Sequence, residues 1–124
     1  MNGSVLVSIV DDDESVRESL SSFLRSAGYA AAAFDSGEEL LSRGDLERTR
    51  CLIVDVSMPR MSGPDLEAEL HKRGISLPIV FITARNEPGL SERLCQRGAI
   101  ACLIKPFTDD ALLEAVMRAT GEGG

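Results

Sequence analysis

Cysteine and histidine are scarce in this chain. The three cysteines, Cys51, Cys95 and Cys102, form no C-x-x-C pair, and the single histidine, His71, lies well away from all of them in sequence. A zinc site or a disulfide framework therefore has little support. Positive charge is also in short supply, with 13 Lys and Arg against 20 Asp and Glu, for a formal net charge of -7. Such a balance repels a phosphate backbone, which argues against direct nucleic-acid binding, and it favours cations and basic partner surfaces. Long hydrophobic runs are missing too. The N-terminal apolar stretch, Val5 to Val10, spans six residues with no basic segment before it. That is too short for a signal-peptide core or a membrane span, so the expectation is a reduced, cytoplasmic protein without membrane contact. No internal repeat or low-complexity linker interrupts the 124 residues, whose 44% hydrophobic and 27% charged content suits one domain with its own core.

What the chain does contain is an alternation of two periods. Val5 to Val10 is continuous and β-branched, as in a strand buried on both faces of a parallel sheet. Val16, Leu20, Phe23, Leu24 and Ala27 then form one stripe of a helix that stops at Gly28. Tyr29 to Phe34 reads as a second strand, and Ser36-Gly37-Glu38-Glu39 as a capping box that opens a short helix. Cys51 to Val54 is a third strand ending at Asp55, followed by a loop and a helix from about Pro64 to Arg73. Pro78 to Ile82 is a fourth strand, followed by a helix carrying Leu90 and Leu94. Ala101 to Ile104 is a fifth, and Thr108 caps a last helix through Leu112, Leu113, Val116 and Ala119. Five strands alternating with five helices through short loops predict an α/β fold, a parallel sheet covered on both faces.

In such a sheet the carboxyl ends of the strands share one crevice, where ligands bind. The first strand delivers Asp11 and Asp12 there, the third Asp55, the fourth Thr83 and the fifth Lys105. Neighbouring carboxylates oppose one another's ionisation unless a cation or donor offsets them, and convergent carboxylates suit Mg²⁺ or another hard divalent cation. A Lys can pair with a phosphate, and a Thr can donate a hydroxyl. Together these parts suit phosphoryl transfer, in which a carboxylate can itself be the acceptor.

The motifs "IVDDDESVR", "LIVDVSMPRMSG", "VFITAR" and "KPF" resemble those of the receiver domains of two-component response regulators. The resemblance runs from about Val5 to Ala119, and within the family it is strongest to the nitrogen-fixation regulator type. It implies a doubly wound, flavodoxin-like (βα)5 fold with strand order 2-1-3-4-5. Residues 1–120 would form the receiver, and 121–124 a flexible tail or truncated linker. Asp55 would accept a phosphoryl group from a sensor histidine kinase or a phosphotransfer protein. Asp12 would ligate Mg²⁺ (or Mn²⁺) directly, Asp11 mostly through water, and Asp55 and the backbone carbonyl of Ser57 would complete the protein's share. Thr83 and Lys105 would each take a phosphoryl oxygen, and the Lys105-Pro106 bond would be cis. The face from Pro88 to Thr120 would dock an output domain or effector, or form a homodimer on phosphorylation.

Some positions depart from the family pattern. Cys102 stands where such receivers usually carry Tyr or Phe, so a small side chain occupies the place of the ring that couples to the Thr. Arg85 lies where the family varies its dephosphorylation rate, and Arg60 makes the loop after Asp55 more basic than usual. Among the bland readings, Asp13 is a helix-start residue, Cys102 a small core residue rather than a redox sensor, Cys51 and Cys95 packing, and His71 solvent-facing. Two rival functions stay open. A constitutive adaptor could keep the fold without switching, and an aspartate-nucleophile phosphatase would need a second Asp where Ser57 stands.

Overall fold

The computed structural model describes residues 4–121. Ten elements alternate along them: β1 (Leu6–Val10), α1 (Glu14–Ser26), β2 (Ala30–Phe34), α2 (Gly37–Arg43), β3 (Thr49–Asp55), α3 (Gly63–Lys72), β4 (Ile79–Thr83), α4 (Leu90–Gln96), β5 (Ala101–Ile104) and α5 (Asp109–Thr120). The strands make one parallel sheet in the order β2-β1-β3-β4-β5. The doubly wound topology expected from the resemblance is therefore present. Among the described residues no helix is long and apolar enough to cross a membrane.

The period of two sorts the core into two layers. Val7, Ile9, Cys51, Ile53, Val80 and Ile82 pack with Leu20 and Leu24 of α1 and with Leu112, Ala115 and Val116 of α5. The alternate positions Val10, Leu52, Val54, Ile79 and Phe81 pack with Leu40 of α2, Leu66 and Leu70 of α3, and Leu94 of α4. Two helices thus cover one face and three the other, and β1 and β4 are buried along their whole length. Cys51 belongs to this interior, where burial pushes its thiol up to about 12 and leaves it inert.

Local chemistry shifts some element ends from the sequence reading. β3 begins two residues earlier, at Thr49, because that hydroxyl meets Ser8 Oγ at 2.8 Å and donates to the Asp45 carbonyl at 2.7 Å, which satisfies both groups inside the sheet. α1 ends at Ser26, with Gly28 in the left-handed region at φ 97°. The reciprocal capping box belongs to α3, where Ser62 and Asp65 exchange side-chain bonds. At α2 only half of the expected box forms, since Ser36 accepts from Glu39 N–H while Glu39 turns to Asp35 N–H at 2.8 Å. Gly121 caps α5 with φ 79°, and the rest of the expected tail, residues 122–124, lies outside the described residues.

Candidate functional site

The carboxyl ends of β1, β3, β4 and β5 bring the five expected polar residues to one edge. Asp11, just past β1, is fully buried and has every polar group engaged. Its N–H donates to Phe34 O at 3.2 Å, and its carbonyl accepts from Arg17 Nη1 at 2.8 Å. Its Oδ1 accepts from Asp13 N–H at 2.9 Å, and its Oδ2 accepts from Lys105 Nζ at 3.1 Å. Asp12 is exposed beside it. Asp13 is the N-cap of α1, accepting from Ser15 N–H at 2.9 Å, so the third aspartate is a helix-start residue as the sequence suggested.

Asp55 ends β3 and is 7% exposed. The chain after it turns back sharply, with Val56 N–H on Ile82 O at 2.8 Å and Gly63 N–H on Val56 O at 2.9 Å. Gly63 makes this return possible, because a Cβ there would lie 2.7 Å from the Asp55 carbonyl and 2.9 Å from the Phe81 ring. Asp11, Asp12 and Asp55 each offer a carboxylate oxygen, all within 4.8 Å of one another. Burial is the main force on Asp55, pushing its carboxyl up to about 6; Asp11 adds to the rise, Lys105 and the Ser57 N–H oppose it, and Asp12 adds a little more. Three convergent oxygen donors, one of them a carboxyl held up chiefly by its burial, fit a divalent cation.

Thr83, at the end of β4, is fully buried, and its hydroxyl accepts from Arg85 N–H at 3.0 Å. Lys105 is held in the site by its own N–H on Thr83 O at 2.7 Å, and the Lys105-Pro106 bond is cis. Ser57 is exposed, its N–H directed at Asp55 Oδ1 at 3.4 Å.

Arg85 and Cys102 line a cavity beside Thr83, whereas His71 and Cys95 sit in the last turns of α3 and α4. The Arg85 guanidinium is drawn to Glu87 at 3.1 Å, and Glu87 also holds Arg93 at 2.6 Å. Cys102 is half-buried against the α2–α4 layer, and burial first, then Cys95, pushes its thiol up. A cavity of about 280 Å³ opens between Thr83, Arg85, Cys102 and Ile104. Arg60 sits in the left-handed region at φ 66° and bonds Glu38 at 3.3 Å, tying the loop after Asp55 to α2. His71 is exposed, as expected. Cys95 is exposed as well, contrary to its reading as a packing residue: α4 turns its neighbour Leu94 to the core and carries Cys95 round to solvent. Sequence reasoning passed over Arg17, although a long cation at the fourth helical position can reach back over the cap, toward which helical side chains lean.

Comparison with known proteins agrees with this geometry. A family model described as the response regulator receiver domain matches residues 7–117. Nodulation protein W of Bradyrhizobium diazoefficiens is 41% identical over 115 residues, which cover 93% of this chain and 51% of that protein. The transcriptional regulatory protein FixJ of Azorhizobium caulinodans is 36% identical over 121 residues, covering 98% of this chain and 57% of that protein. The chain thus spans about half the length of the curated relatives it matches. The crystal structure of FixJ-N superposes with a TM-score of 0.84 at 33% identity, covering 98% of this chain and 96% of that one. The chain belongs to the response regulator receiver domain family.

Proposed function

We propose that this receiver is a phosphoacceptor switch in which Asp55 takes a phosphoryl group from the phosphohistidine of a sensor kinase or phosphotransfer protein. Receiver domains are signalling switches rather than turnover enzymes, and phosphorylation and Mg²⁺ binding are general features of the family. The observation that carries the proposal is the convergence of Asp11, Asp12 and Asp55 within 4.8 Å, with Lys105 Nζ 3.1 Å from Asp11. Asp55 ends a rigid central strand and is the carboxylate to which the phosphoryl group would be bonded. Asp11, Asp12, Asp55 and the Ser57 carbonyl are the groups that would hold Mg²⁺, which neutralises charge so that an anionic carboxylate can approach an anionic phosphorus. As the Asp55 oxygen bonds to phosphorus, the bond to the donor histidine nitrogen breaks and its electron pair stays on the imidazole. Lys105 exchanges part of its contact with Asp11 for a phosphoryl oxygen, and Thr83 turns its hydroxyl from the Arg85 N–H toward another. The loss of that bond releases the start of the loop leading to α4, and the altered population is read on the face of residues 88–120 by an output domain, an effector or a second copy.

One observation favours a second reading. The cavity beside Thr83 and Cys102 has no ring to fill it, which suits an adaptor that is phosphorylated without passing the change on. Hydrogen exchange with and without a small phosphodonor and Mg²⁺ separates the two. Altered protection across α4, β5 and α5 is the expected result, and modification at Asp55 with unaltered protection there selects the adaptor.

A further inference from the structure

The proposed metal ligands Asp11 and Asp12 sit on a turn between a buried strand and a helix, and one long side chain determines how that turn is held. Arg17 is half-buried at the fourth position of α1, and its Nη1 donates to the Asp11 carbonyl at 2.8 Å. Its own N–H closes the first turn of the helix on Asp13 O at 3.1 Å. A cation near a helix N-terminus opposes the helix dipole, so this position is not one that helix stability would choose. The guanidinium instead answers the carbonyl that β1 leaves without a ladder partner at its end.

We propose that Arg17 is a positioning residue for the metal site: by holding the Asp11 carbonyl it fixes the peptide plane joining the two acidic residues and so aims the Asp12 carboxylate. The buried side chain of Asp11 is already locked by Asp13 N–H and Lys105. Asp12 is exposed, and no side-chain bond to it is seen among the described residues. The Asp11-Asp12 peptide plane places the Cα and Cβ of Asp12, and so decides whether the carboxylate starts within reach of the cluster. Without Arg17 the carbonyl side of that peptide loses its holding bond, only the Asp13 N–H on Asp11 Oδ1 still spans the turn, and the carboxylate shifts from its place in the 4.8 Å cluster.

The inference rests on the reading of Asp11, Asp12 and Asp55 as a Mg²⁺ site, and charge offers a test with opposite signs. A guanidinium beside an acidic turn repels a divalent cation, so removing charge alone would tighten Mg²⁺ binding. Loss of positioning weakens it. Mg²⁺ affinity is measured by calorimetry on the wild type, Arg17→Met and Arg17→Lys, with circular dichroism to confirm folding. Arg17→Gln, polar but too short to reach the carbonyl, serves in place of the methionine variant should that one not fold. The expected result is a loss of about tenfold in Arg17→Met and recovery to within about threefold in Arg17→Lys. Labelling by a small phosphodonor should be slow in Arg17→Met at low Mg²⁺ and recover at saturating Mg²⁺, because Arg17 touches no reacting atom. Equal or tighter Mg²⁺ binding by Arg17→Met, or labelling that stays slow at saturation, overturns the positioning role alone. A wild-type protein that binds no Mg²⁺ overturns the metal-site reading and this inference with it.

Discussion

Replacing Asp55 by asparagine should make the metal-free protein more stable at neutral pH and leave it unchanged in acid. Burial raises the Asp55 carboxyl from 3.8 to about 6, so the folded state holds that proton more tightly than the unfolded chain does. A raised carboxyl stabilises the fold where it is protonated, below about pH 4, and that contribution is lost as pH rises through about 6. At roughly 1.4 kcal/mol per pH unit, the difference amounts to about 3 kcal/mol above pH 7. Asparagine keeps the shape and carries no charge, so it escapes this loss. It gives up little else, since the Ser57 N–H contact is long at 3.4 Å and Lys105 bonds Asp11 rather than Asp55. Urea unfolding in EDTA across pH 4 to 8 measures the effect, which corresponds to roughly 10 °C in melting temperature for a domain of this size. The gap between the two proteins should open between about pH 4 and 6 and stay constant above about 7. A variant that is equally stable at pH 7.5, or a gap independent of pH, would refute the claim that an uncompensated carboxylate is stored in the site.

Other substitutions separate the roles of the neighbours. Lys105→Met removes the ammonium 3.1 Å from Asp11 Oδ2, so Mg²⁺ should bind about tenfold tighter, from a repulsion of roughly 1.4 kcal/mol at about 6 Å in a water-like dielectric, while phosphoryl labelling falls. Calorimetry showing equal or weaker Mg²⁺ binding would contradict this. Asp13→Ala should cost about 1 kcal/mol of stability through loss of the α1 cap, with Mg²⁺ affinity retained. Asp12→Asn should do the reverse, weakening Mg²⁺ binding with metal-free stability kept; matching effects from the two would show that the aspartates are not divided as described. Gly63→Ala forces a Cβ to 2.7 Å from the Asp55 carbonyl, and it should destabilise by about 2–3 kcal/mol in urea unfolding and lower Mg²⁺ affinity as the loop moves. A wild-type unfolding curve would rule out the close approach.

The fold was readable because its three central strands carry nearly continuous apolar runs. Val7 to Val10, Cys51 to Val54 and Ile79 to Ile82 each feed both core layers except at Ser8, whose hydroxyl is satisfied by Thr49. The site was readable for a related reason: in a parallel sheet the residue that ends each strand reaches the same edge, so Asp11, Asp55, Thr83 and Lys105 follow once the strands are placed. What depended on side-chain reach was not readable. Neighbouring aspartates look alike in sequence, yet Asp11 is buried with four bonds and Asp12 is exposed. The arginine that answers the Asp11 carbonyl lies six residues on. Glu67 was passed over as well, because a charged residue on a short helix reads as surface. It is 7% exposed, with Arg97 of the next helix end 3.4 Å away.

The central claim, that Asp55 accepts a phosphoryl group with the help of a cation held by its acidic neighbours, is tested most directly by intact-mass measurement. The protein and its Asp55→Asn variant are each mixed with a small acyl phosphate, in Mg²⁺ and in EDTA. One phosphoryl-sized mass increment should appear in the wild type with Mg²⁺ and be absent from the other three samples. No increment in the wild type, or the same increment in Asp55→Asn, would contradict the account.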